Sequence, residues 1–267
     1  MQLSRIAEDM IGSEVLNQTK LPKYLRLSNA ILNRIEAGEM RPGDKLPPEG
    51  ALAGALPASL GTVQKALAHL KTLGVVVRDH GRGTFVAGAL YPTSGDTIPV
   101  DELLHFRFAD DDRATPLPVY ARVKTVEKIA SRNADASTPW ARFLGKDKAY
   151  IRIGRSIDVN DEFEAFSQFY LGWSRFRGLL RVPLDELNGI SLRVVLSRTY
   201  NLPTLHFDQR LQCASLPTVA CETLGLSAGS LGMIWEIFGR SYRRQPASYQ
   251  RVYLPMGHRP IEITSSL

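Results

Sequence analysis

The stretch from Leu46 to Val86 constrains the fold of this chain most, because helix signals and a glycine-rich turn follow each other within it. Ser59 is typical of a helix N-cap, since its hydroxyl can accept a hydrogen bond from an N–H group of the first helical turn. From there, apolar side chains recur at helical spacing. They are Val63, Ala66, Leu67 and Leu70. Gly74 follows, where a residue with positive φ commonly ends a helix. The stretch therefore predicts a helix that begins after Ser59 and ends before Gly74.

A short hairpin is predicted directly after this helix. Two β-prone runs, Val75–Val77 and Thr84–Val86, flank the basic turn Asp79-His80-Gly81-Arg82-Gly83, which is the pattern of a tight β-hairpin. A compact helix pair followed by a basic hairpin indicates a winged helix-turn-helix, whose second helix can lie in a major groove while the hairpin touches phosphates or the minor groove. Each signal alone is more often a packed helix or an ordinary hairpin, so it is their order that favours DNA binding.

An upstream segment carries a family resemblance. Ile35, Gly38, Pro42, Gly43, Asp44, Leu46, Pro47 and Glu49 form the run I-x-x-G-x-x-x-P-G-D-x-L-P-x-E. Together with Thr62-Val63 and the G-R-G-T-F-V that ends at Val86, this run resembles the amino-terminal domain of the GntR family of bacterial transcription regulators. The resemblance implies a winged helix-turn-helix fold and double-stranded operator DNA as the partner.

The residues expected to contact DNA lie at the start of the second helix, in the loop before the helix pair and in the hairpin. They are Lys45, Ser59, Thr62, Gln64, Lys65, His80, Gly81, Arg82 and Thr84. Three positions at which GntR proteins usually carry arginine hold Gly50, Leu60 and Gln64. Because arginine is suited to bidentate contact with guanine or phosphate, these departures predict an altered operator or weaker DNA binding. Gln64 can still pair with an adenine edge.

Composition agrees with a nucleic-acid partner. The chain has a formal net charge of +6, and residues 20–86 carry ten Lys or Arg against five Asp or Glu, which is the asymmetry that a DNA-binding domain shows. Cys213 and Cys221 form no C-x-x-C pair, so no metal site, cofactor or disulfide framework is expected. Apolar runs stay well below the ~20 residues that cross a bilayer. We therefore expect a cytoplasmic protein without a membrane partner.

Changes in composition divide the chain into four stretches. The predicted stretches are an N-terminal extension (1–20), the winged helix-turn-helix (21–86), a linker of small and turn-forming residues (87–100) and an effector-binding domain (101–267). Within the extension, apolar residues recur at helical spacing from Leu3 to Ile11, which leaves a short amphipathic helix and a frayed tail as open alternatives.

The last stretch alternates strand-like runs with short helices, which predicts an α+β fold on a mostly antiparallel sheet. The predicted strands are Leu103–Phe108, Val119–Val126, Tyr150–Val159, Phe163–Leu171, Thr204–Cys213, Leu231–Arg240 and Ala247–Leu254, and the predicted helices are Trp140–Leu144, Ser191–Tyr200 and Leu216–Leu224. Asn160-Asp161 favours a hairpin turn. The element order and the run P-T-V-A-C-E-T-L-G-L at Pro217–Leu226 resemble the UTRA domain, the effector-binding module of the HutC subfamily of GntR proteins. This resemblance implies a chorismate-lyase-like fold.

Arg155 is the leading candidate for effector binding. In the strand that ends at Val159, Arg155 shares one face with aliphatic side chains, and an arginine in such surroundings is a candidate site for a carboxylate or a phosphate. The resemblance implies the same role, because UTRA domains use an arginine of this strand to hold an anionic group. The alternative is a structural salt bridge between Arg155 and an inward acid such as Glu236. Further candidates are Ser167, Arg107, Tyr120, Ser248, Tyr249 and Arg251.

These observations predict a ligand-responsive, sequence-specific DNA-binding transcription regulator, most simply a repressor, that binds a palindromic operator as a homodimer. A small anionic effector near Arg155 would change its operator affinity. The sequence carries no H-E-x-x-H, G-x-S-x-G or Walker motif. Two other classes stay open. One is a chorismate-lyase-like enzyme with a winged-helix docking module, which turnover of a bound ligand would reveal. The other is a winged-helix protein-interaction module, which weak and salt-insensitive DNA binding would favour.

Overall fold

The computed structural model describes residues 3–16, 21–79, 81–87, 106–108, 117–133 and 138–263. These residues form two compact units. The first unit holds the described residues of Met1–Tyr91 together with Leu196–Leu205 and Ser241–Gln245, and the second holds those of Pro92–Val195, His206–Arg240 and Pro246–Leu267. Each unit is therefore built from more than one stretch of the chain.

The amino-terminal part of the first unit consists of helices and one hairpin. In chain order the elements are α1 (Leu3–Leu16), α2 (Lys23–Glu36), α3 (Glu49–Ala55), α4 (Leu60–Thr72), β1 (Val76–Asp79) and β2 (Gly83–Val86). The predicted start of α4 is confirmed, because the Ser59 hydroxyl accepts a hydrogen bond from the backbone N–H of Thr62 at 3.3 Å. Gly74 ends the helix region with a φ of +66°, as predicted. The hairpin is confirmed as well, since β1 and β2 pair antiparallel with Val76 opposite Val86.

The helices of the first unit enclose an apolar core. The stripe predicted on α4 lies in this core, and its four residues are all buried. Ile6 and Met10 of α1 are buried in the same cluster. The structure therefore shows the helical alternative for the N-terminal extension. Burying an isoleucine or methionine side chain contributes about 1.5–3 kcal/mol, which is why α1 packs against the other helices.

The rest of the described chain alternates strands and helices. These elements belong to the second unit, except that residues 196–200 of the helix that begins at Leu192 belong to the first. In chain order the elements are β3 (Phe106–Phe108), β4 (Val119–Ala130), α5 (Pro139–Leu144), β5 (Ala149–Val159), β6 (Phe163–Gly172), α6 (Trp173–Phe176), α7 (Leu192–Tyr200), β7 (His206–Ser215), α8 (Thr218–Thr223), β8 (Leu231–Arg240), β9 (Pro246–Pro255) and β10 (Ile261–Ile263). Six strands form an antiparallel sheet in the order β4-β5-β6-β9-β8-β7, and β3 pairs with β10. The predicted α+β fold on an antiparallel sheet is confirmed.

The structure extends and supplements the predicted elements. β4 runs on to Ala130, because β5 pairs with it along this whole length apart from a bulge between Val123 and Thr125. Short helical turns between 173 and 187 were not predicted from the sequence, since turns of this length show no clear period. Apart from Ala87, the predicted linker lies outside the described residues, and so do residues 103–105 of the first predicted strand. Among the helices that the structure describes, none has the length and apolar character needed to span a membrane.

The turn that joins β8 to β9 belongs to the first unit. Tyr242 in this turn is buried in the helical core. Arg243 donates from Nε to both carboxylate oxygens of Glu36, at 3.0 and 3.1 Å, and from Nη2 to Oδ1 of Asn33 at 2.6 Å. Arg243 has a φ of +52°, a left-handed conformation that is uncommon outside glycine. The contacts with α2 hold this turn in place.

The six-stranded sheet has two chemically different faces, because side chains alternate along each strand. Arg155 on β5 lies opposite Ser167 on β6, and Ser167 lies opposite Val252 on β9. We call the side that carries these three residues the Arg155 face. Residues next to them along each strand point to the other side. Tyr249 and Arg251 lie there, and we call that side the Tyr249 face.

Candidate nucleic-acid interface and effector site

The start of α4 is a candidate surface for reading bases. Outside its buried stripe, the helix exposes Leu60, Gly61, Gln64, Lys65 and Ala68. The hydroxyl groups of Ser59 and Thr62 lie 2.9 Å apart and form a hydrogen bond, which fixes the first turn. In helix-turn-helix proteins, residues near the start of the second helix contact base edges in the major groove. The exposed residues of α4 stand at that position.

One carboxylate connects α4 with the helix before it and with the hairpin. Gln64 donates from Nε2 to Glu49 at 3.0 Å. The other carboxylate oxygen of Glu49 lies 3.5 Å from Nη2 of Arg78 on β1. Glu49 is the first residue of α3, so this contact joins three elements of the first unit. It restricts the side chain of Gln64, which the sequence singled out for contact with an adenine edge.

A basic hollow of about 680 Å³ lies between the hairpin and the loop before α3. Its charged lining residues are Lys45, Lys71, Arg78 and Arg82, against the carboxylates Glu49 and Asp79. Gly83 makes this arrangement possible, because its φ is +124° and a Cβ atom there would lie 2.7 Å from Cε of Lys45. Four cations against two carboxylates leave an excess of positive charge, which suits the phosphates of a DNA backbone.

Most of the residues predicted to contact DNA lie on this side of the first unit. Lys45, Gly81, Arg82 and Thr84 line the basic hollow, Gln64 lines an adjoining hollow of about 360 Å³, and Ser59, Thr62 and Lys65 lie in or beside the first turns of α4. His80 lies outside the described residues. Sequence reasoning missed Lys71 and Arg78, which line both hollows. Lys71 follows Gln64 by two helical turns, so helical periodicity alone could have identified it.

Arg155 is a buried cation in the second unit. The residue is 5% exposed, and its guanidinium carbon lies 5.8 Å from the centre of the Phe169 ring. Its Nε atom is buried without a hydrogen-bond partner. Burial lowers the pKa of Arg155 to about 10. Among the residues that the structure describes, no carboxylate lies within ion-pairing distance of Arg155, and a buried charge without a partner is costly.

The acid named in the alternative explanation, Glu236, does not pair with Arg155. Glu236 lies on the Tyr249 face, where Nη2 of Arg251 is 2.7 Å from Oε1 of Glu236 and the Tyr249 hydroxyl donates to the same oxygen. Burial by itself raises the pKa of Glu236, but these two hydrogen bonds, together with the positive charges of Arg251 and Arg210, outweigh that effect and lower the pKa. Glu236 is therefore satisfied on its own side of the sheet and forms no salt bridge with Arg155.

The other predicted effector residues do not form a single group. Ser167 and Ser248 lie on the Arg155 face, and Gln250 donates from Nε2 to the Ser167 hydroxyl at 3.0 Å. Tyr249 and Arg251 lie on the opposite face with Glu236, and Tyr120, opposite Asp158, is 58% exposed. The strand that holds Arg107 pairs with β10, and the Arg107 side chain lies outside the described part of the structure. Among the predicted effector residues whose side chains the structure describes, only the two serines share the face of Arg155.

Arg193 is a second buried arginine that the sequence analysis did not select. It stands near the start of α7 with 8% exposed, and its guanidinium carbon lies 4.2 Å from the centre of the Phe207 ring. Burial, and then the positive charge of Arg155, lower its pKa to about 9. On the Arg155 face, Oε1 of Gln209 is also buried without a hydrogen-bond partner. Alternation along a strand could not find Arg193, because it lies on a helix.

Comparison with known proteins identifies the first unit's helix-turn-helix. Residues 23–86 match the model of the bacterial regulatory proteins of the gntR family. This match covers α2, α3, α4 and the hairpin. Residues 23–86 are therefore a GntR-family helix-turn-helix domain, as the sequence predicted.

Several curated proteins are similar to this chain. The arabinose metabolism transcriptional repressor of Geobacillus stearothermophilus is 39% identical over 72 residues, 27% of this chain and 20% of that protein. The histidine utilization repressor of Pseudomonas aeruginosa is 36% identical over 72 residues, covering 27% and 29% of the two chains. The transcriptional regulator SmoD of Agrobacterium fabrum is 27% identical over 138 residues, covering 45% and 58%. The chain thus spans less than two thirds of the length of these relatives.

A solved structure matches the fold over a larger part of the chain. It is the ligand-binding domain of a protein described as a GntR-family transcriptional regulator from Bordetella bronchiseptica, with a TM-score of 0.50 and 16% sequence identity. The match covers 61% of this chain and 96% of that domain. At this level of identity, the likeness shows a shared fold alone.

Proposed function

We propose that this protein is a ligand-responsive, sequence-specific DNA-binding transcription regulator, and that it acts as a repressor. The observation that carries the proposal is the GntR-family helix-turn-helix, in which the exposed start of α4 stands beside a hollow with four cations. Such a regulator works in the cytoplasm, where operator DNA is found.

In this proposal, α4 enters the major groove while the hairpin and the loop before α3 meet the DNA backbone. Lys45, Lys71, Arg78 and Arg82 neutralise phosphates, and Gln64 contacts a base edge. Two copies of the chain bind together, because a palindromic operator presents its half-sites with two-fold symmetry. The positive charge of residues 20–86 supports this arrangement.

The effector in this proposal is a small anion bound at the Arg155 face. Arg155 is buried without a carboxylate partner among the described residues, and the charge of Arg155 lowers the pKa of the second buried arginine, Arg193. A carboxylate or phosphate would supply the missing negative charge and accept hydrogen bonds from a guanidinium group. Ser167 and Ser248 offer hydroxyl groups on the same face. We assign this site no catalytic step.

The effector acts by linkage: it binds more tightly to the conformation that holds the operator less well. Because such coupling is reciprocal, operator DNA lowers the affinity for the effector by the same factor. Two conformations of the protein are sufficient for this behaviour, one that the operator binds better and one that the effector binds better.

The test of DNA binding is selection of random duplexes by the purified full chain, followed by affinity measurements over a salt series. We expect an inverted repeat to be enriched and the logarithm of the binding constant to fall linearly with the logarithm of the salt concentration. Absence of any enriched sequence, together with salt-insensitive binding, would overturn the proposal.

The test of the effector site is thermal unfolding in the presence of inorganic phosphate, phosphate monoesters and small dicarboxylates. An anion that binds the folded protein raises its midpoint of unfolding. We expect at least one of these anions to stabilise the native chain and to leave an Arg155→Met variant unchanged. Equal stabilisation of the native chain and the variant would place the anion elsewhere.

A further inference from the structure

We propose that Leu60 reads the C5-methyl group of a thymine in each half-site of the operator. This inference rests on the proposed DNA-binding function and goes beyond it by assigning one base feature to one side chain. It also gives a role to a position at which this chain carries leucine and GntR proteins usually carry arginine.

The position of Leu60 is fixed by its neighbours. It is the first residue of α4 and follows the N-cap Ser59 directly, so its backbone belongs to the capped first turn. The residue is 47% exposed, whereas the four residues of the apolar stripe on the same helix are buried. Leu60 is therefore an apolar side chain at the N-terminal end of α4, which is the end that enters the major groove in the proposed complex.

Leu60 begins a row along the exposed side of α4. Residues four apart lie on the same side of a helix, and Gln64 and Ala68 follow Leu60 at this spacing. All three are exposed. The row thus presents an aliphatic group, an amide and a methyl group in succession, and its members carry no guanidinium or ammonium group.

The chemistry of this row matches A·T base pairs. In the major groove, thymine alone among the four bases of DNA displays a methyl group, and apolar side chains contact it, while glutamine pairs with adenine. Guanine is read most often by the donors of arginine or lysine, which the row lacks. The glutamine and the two apolar members therefore favour a half-site in which thymine stands next to Leu60.

The space around Leu60 admits a base edge. Gly61 follows it, and a Cβ atom built on Gly61 would have no neighbour within 4 Å. The same is true of Gly50 on α3. Since neither glycine carries a side chain, the DNA can approach the start of α4 closely, while the cations of the basic hollow hold the backbone. A single exposed leucine has no role in most proteins, and the following experiment separates that case from base reading.

The experiment uses the operator recovered by selection from random duplexes with the full chain. Each thymine of a half-site is replaced in turn by deoxyuridine, which lacks only the C5-methyl group, and affinities are measured for the native chain and for Leu60→Ala. At one thymine, we expect the native chain to lose roughly fourfold in affinity when the methyl group is removed. Leu60→Ala should bind the thymine operator with a similar loss and lose nothing further on deoxyuridine.

Two further variants sharpen the result. Leu73→Ala is the matched control, because Leu73 is a partly exposed leucine at the opposite end of the same helix, and it should discriminate thymine from deoxyuridine as the native chain does. Leu60→Arg should enrich guanine in selection where the native chain enriches thymine, since arginine pairs with guanine.

The outcomes are separable. If a repeat is enriched but Leu60→Ala still discriminates thymine from deoxyuridine at every position, the role of Leu60 is overturned and DNA binding stands. If no sequence is enriched by the native chain, both proposals are overturned together. Loss of discrimination at one thymine in Leu60→Ala, with Leu73→Ala unaffected, supports the inference.

Discussion

At the scale of single residues, we expect Arg155 to serve effector binding and to lower the stability of the fold. Its charge is buried and Nε has no hydrogen-bond partner. Methionine has a similar length and no charge, so Arg155→Met should raise the free energy of unfolding by about 1–2 kcal/mol. The same variant should lose its response to the effector while keeping its operator affinity. Denaturant unfolding at neutral pH and operator titrations measure these two effects.

The control for this prediction lies on the same strand. Arg152 faces the other side of the sheet, and its Nη2 atom forms an ion pair with Glu127 at 2.6 Å. Arg152→Met removes a paired and partly exposed charge, so it should not stabilise the fold. A loss of stability in Arg155→Met would show that Arg155 has a structural role that the proposal does not include.

Arg82 carries the corresponding prediction for DNA binding. Its side chain is 70% exposed and pairs with Asp79 at 3.0 Å, and such surface pairs contribute only about 0–1 kcal/mol. Arg82→Ala should therefore leave stability nearly unchanged, but weaken binding to all sequences and reduce the salt slope by about 0.9 for each hairpin that contacts a phosphate. Arg132→Ala, an exposed arginine of the second unit, should leave the slope as it is. An unchanged slope in Arg82→Ala would remove the hairpin from the contact surface.

The position of Glu236 shows which features of the site could be predicted from the sequence at this scale. Alternation along one strand correctly placed Arg155 among buried aliphatic side chains. It could not tell which side of the sheet Glu236 occupies, because that depends on the register between strands. In the structure Glu236 lies opposite Arg251 and Trp235 lies opposite Val252, so the acid falls on the face away from Arg155.

At the scale of elements, Glu49 connects α3 with α4 and the hairpin. Without this carboxylate, Gln64 and Arg78 lose a common partner, and the amide of Gln64 becomes free to rotate. Glu49→Ala should therefore broaden the base preference at the position that Gln64 contacts and leave the rest of the half-site unchanged. Selection of duplexes by the variant measures this directly. Glu8→Ala, which removes an exposed carboxylate from α1, serves as the control, and an unaltered preference in Glu49→Ala would refute the orienting role.

Long elements with a clear period were predictable, whereas short ones were not. The alternating runs of β5 and β6 and the capped helix α4 were found close to their observed bounds, since local pattern and burial agree there. The turns at Arg177–Arg181 and Leu184–Leu187 each span four or five residues, which is too short to show a period. β10 contains only three residues and is defined by its pairing with β3, a partner far away in the sequence.

At the scale of the whole molecule, two segments distant in sequence complete the first unit. Asn201 donates from Nδ2 to the backbone oxygen of Ile35 at 2.8 Å, and Arg243 binds Glu36 and Asn33. Their partners stand more than 160 positions earlier in the chain. No local pattern predicts such contacts, because they arise from the path of the chain rather than from propensity or period.

In the proposed function, this path is a route by which effector binding changes DNA affinity. The turn that contains Arg243 is the direct covalent link between β8 and β9, whose strands contribute Trp235, Ser248 and Gln250 to the Arg155 face. A structural change at that face therefore has only a few residues of backbone to cross before it reaches the side chain of Arg243, which binds α2. We expect Arg243→Ala to bind the operator alone, and the effector alone, with nearly the affinity of the native chain. The ratio of operator affinities with and without effector should fall towards one.

The reciprocity of the coupling adds a second requirement to this last prediction. The effector's influence on operator affinity and the operator's influence on effector affinity are the same coupling free energy, so both ratios must fall together in Arg243→Ala. Titration of each ligand in the presence and absence of the other measures them, and Arg244→Ala, the exposed neighbour in the same turn, is the control. Unequal ratios would show that one titration had not reached equilibrium. Weaker binding of one ligand, with the common ratio unchanged, would show that the variant has damaged that binding site and not the coupling. If neither falls, the signal reaches the helix-turn-helix by another route, since the contact of Arg243 with α2 is then not needed to transmit it.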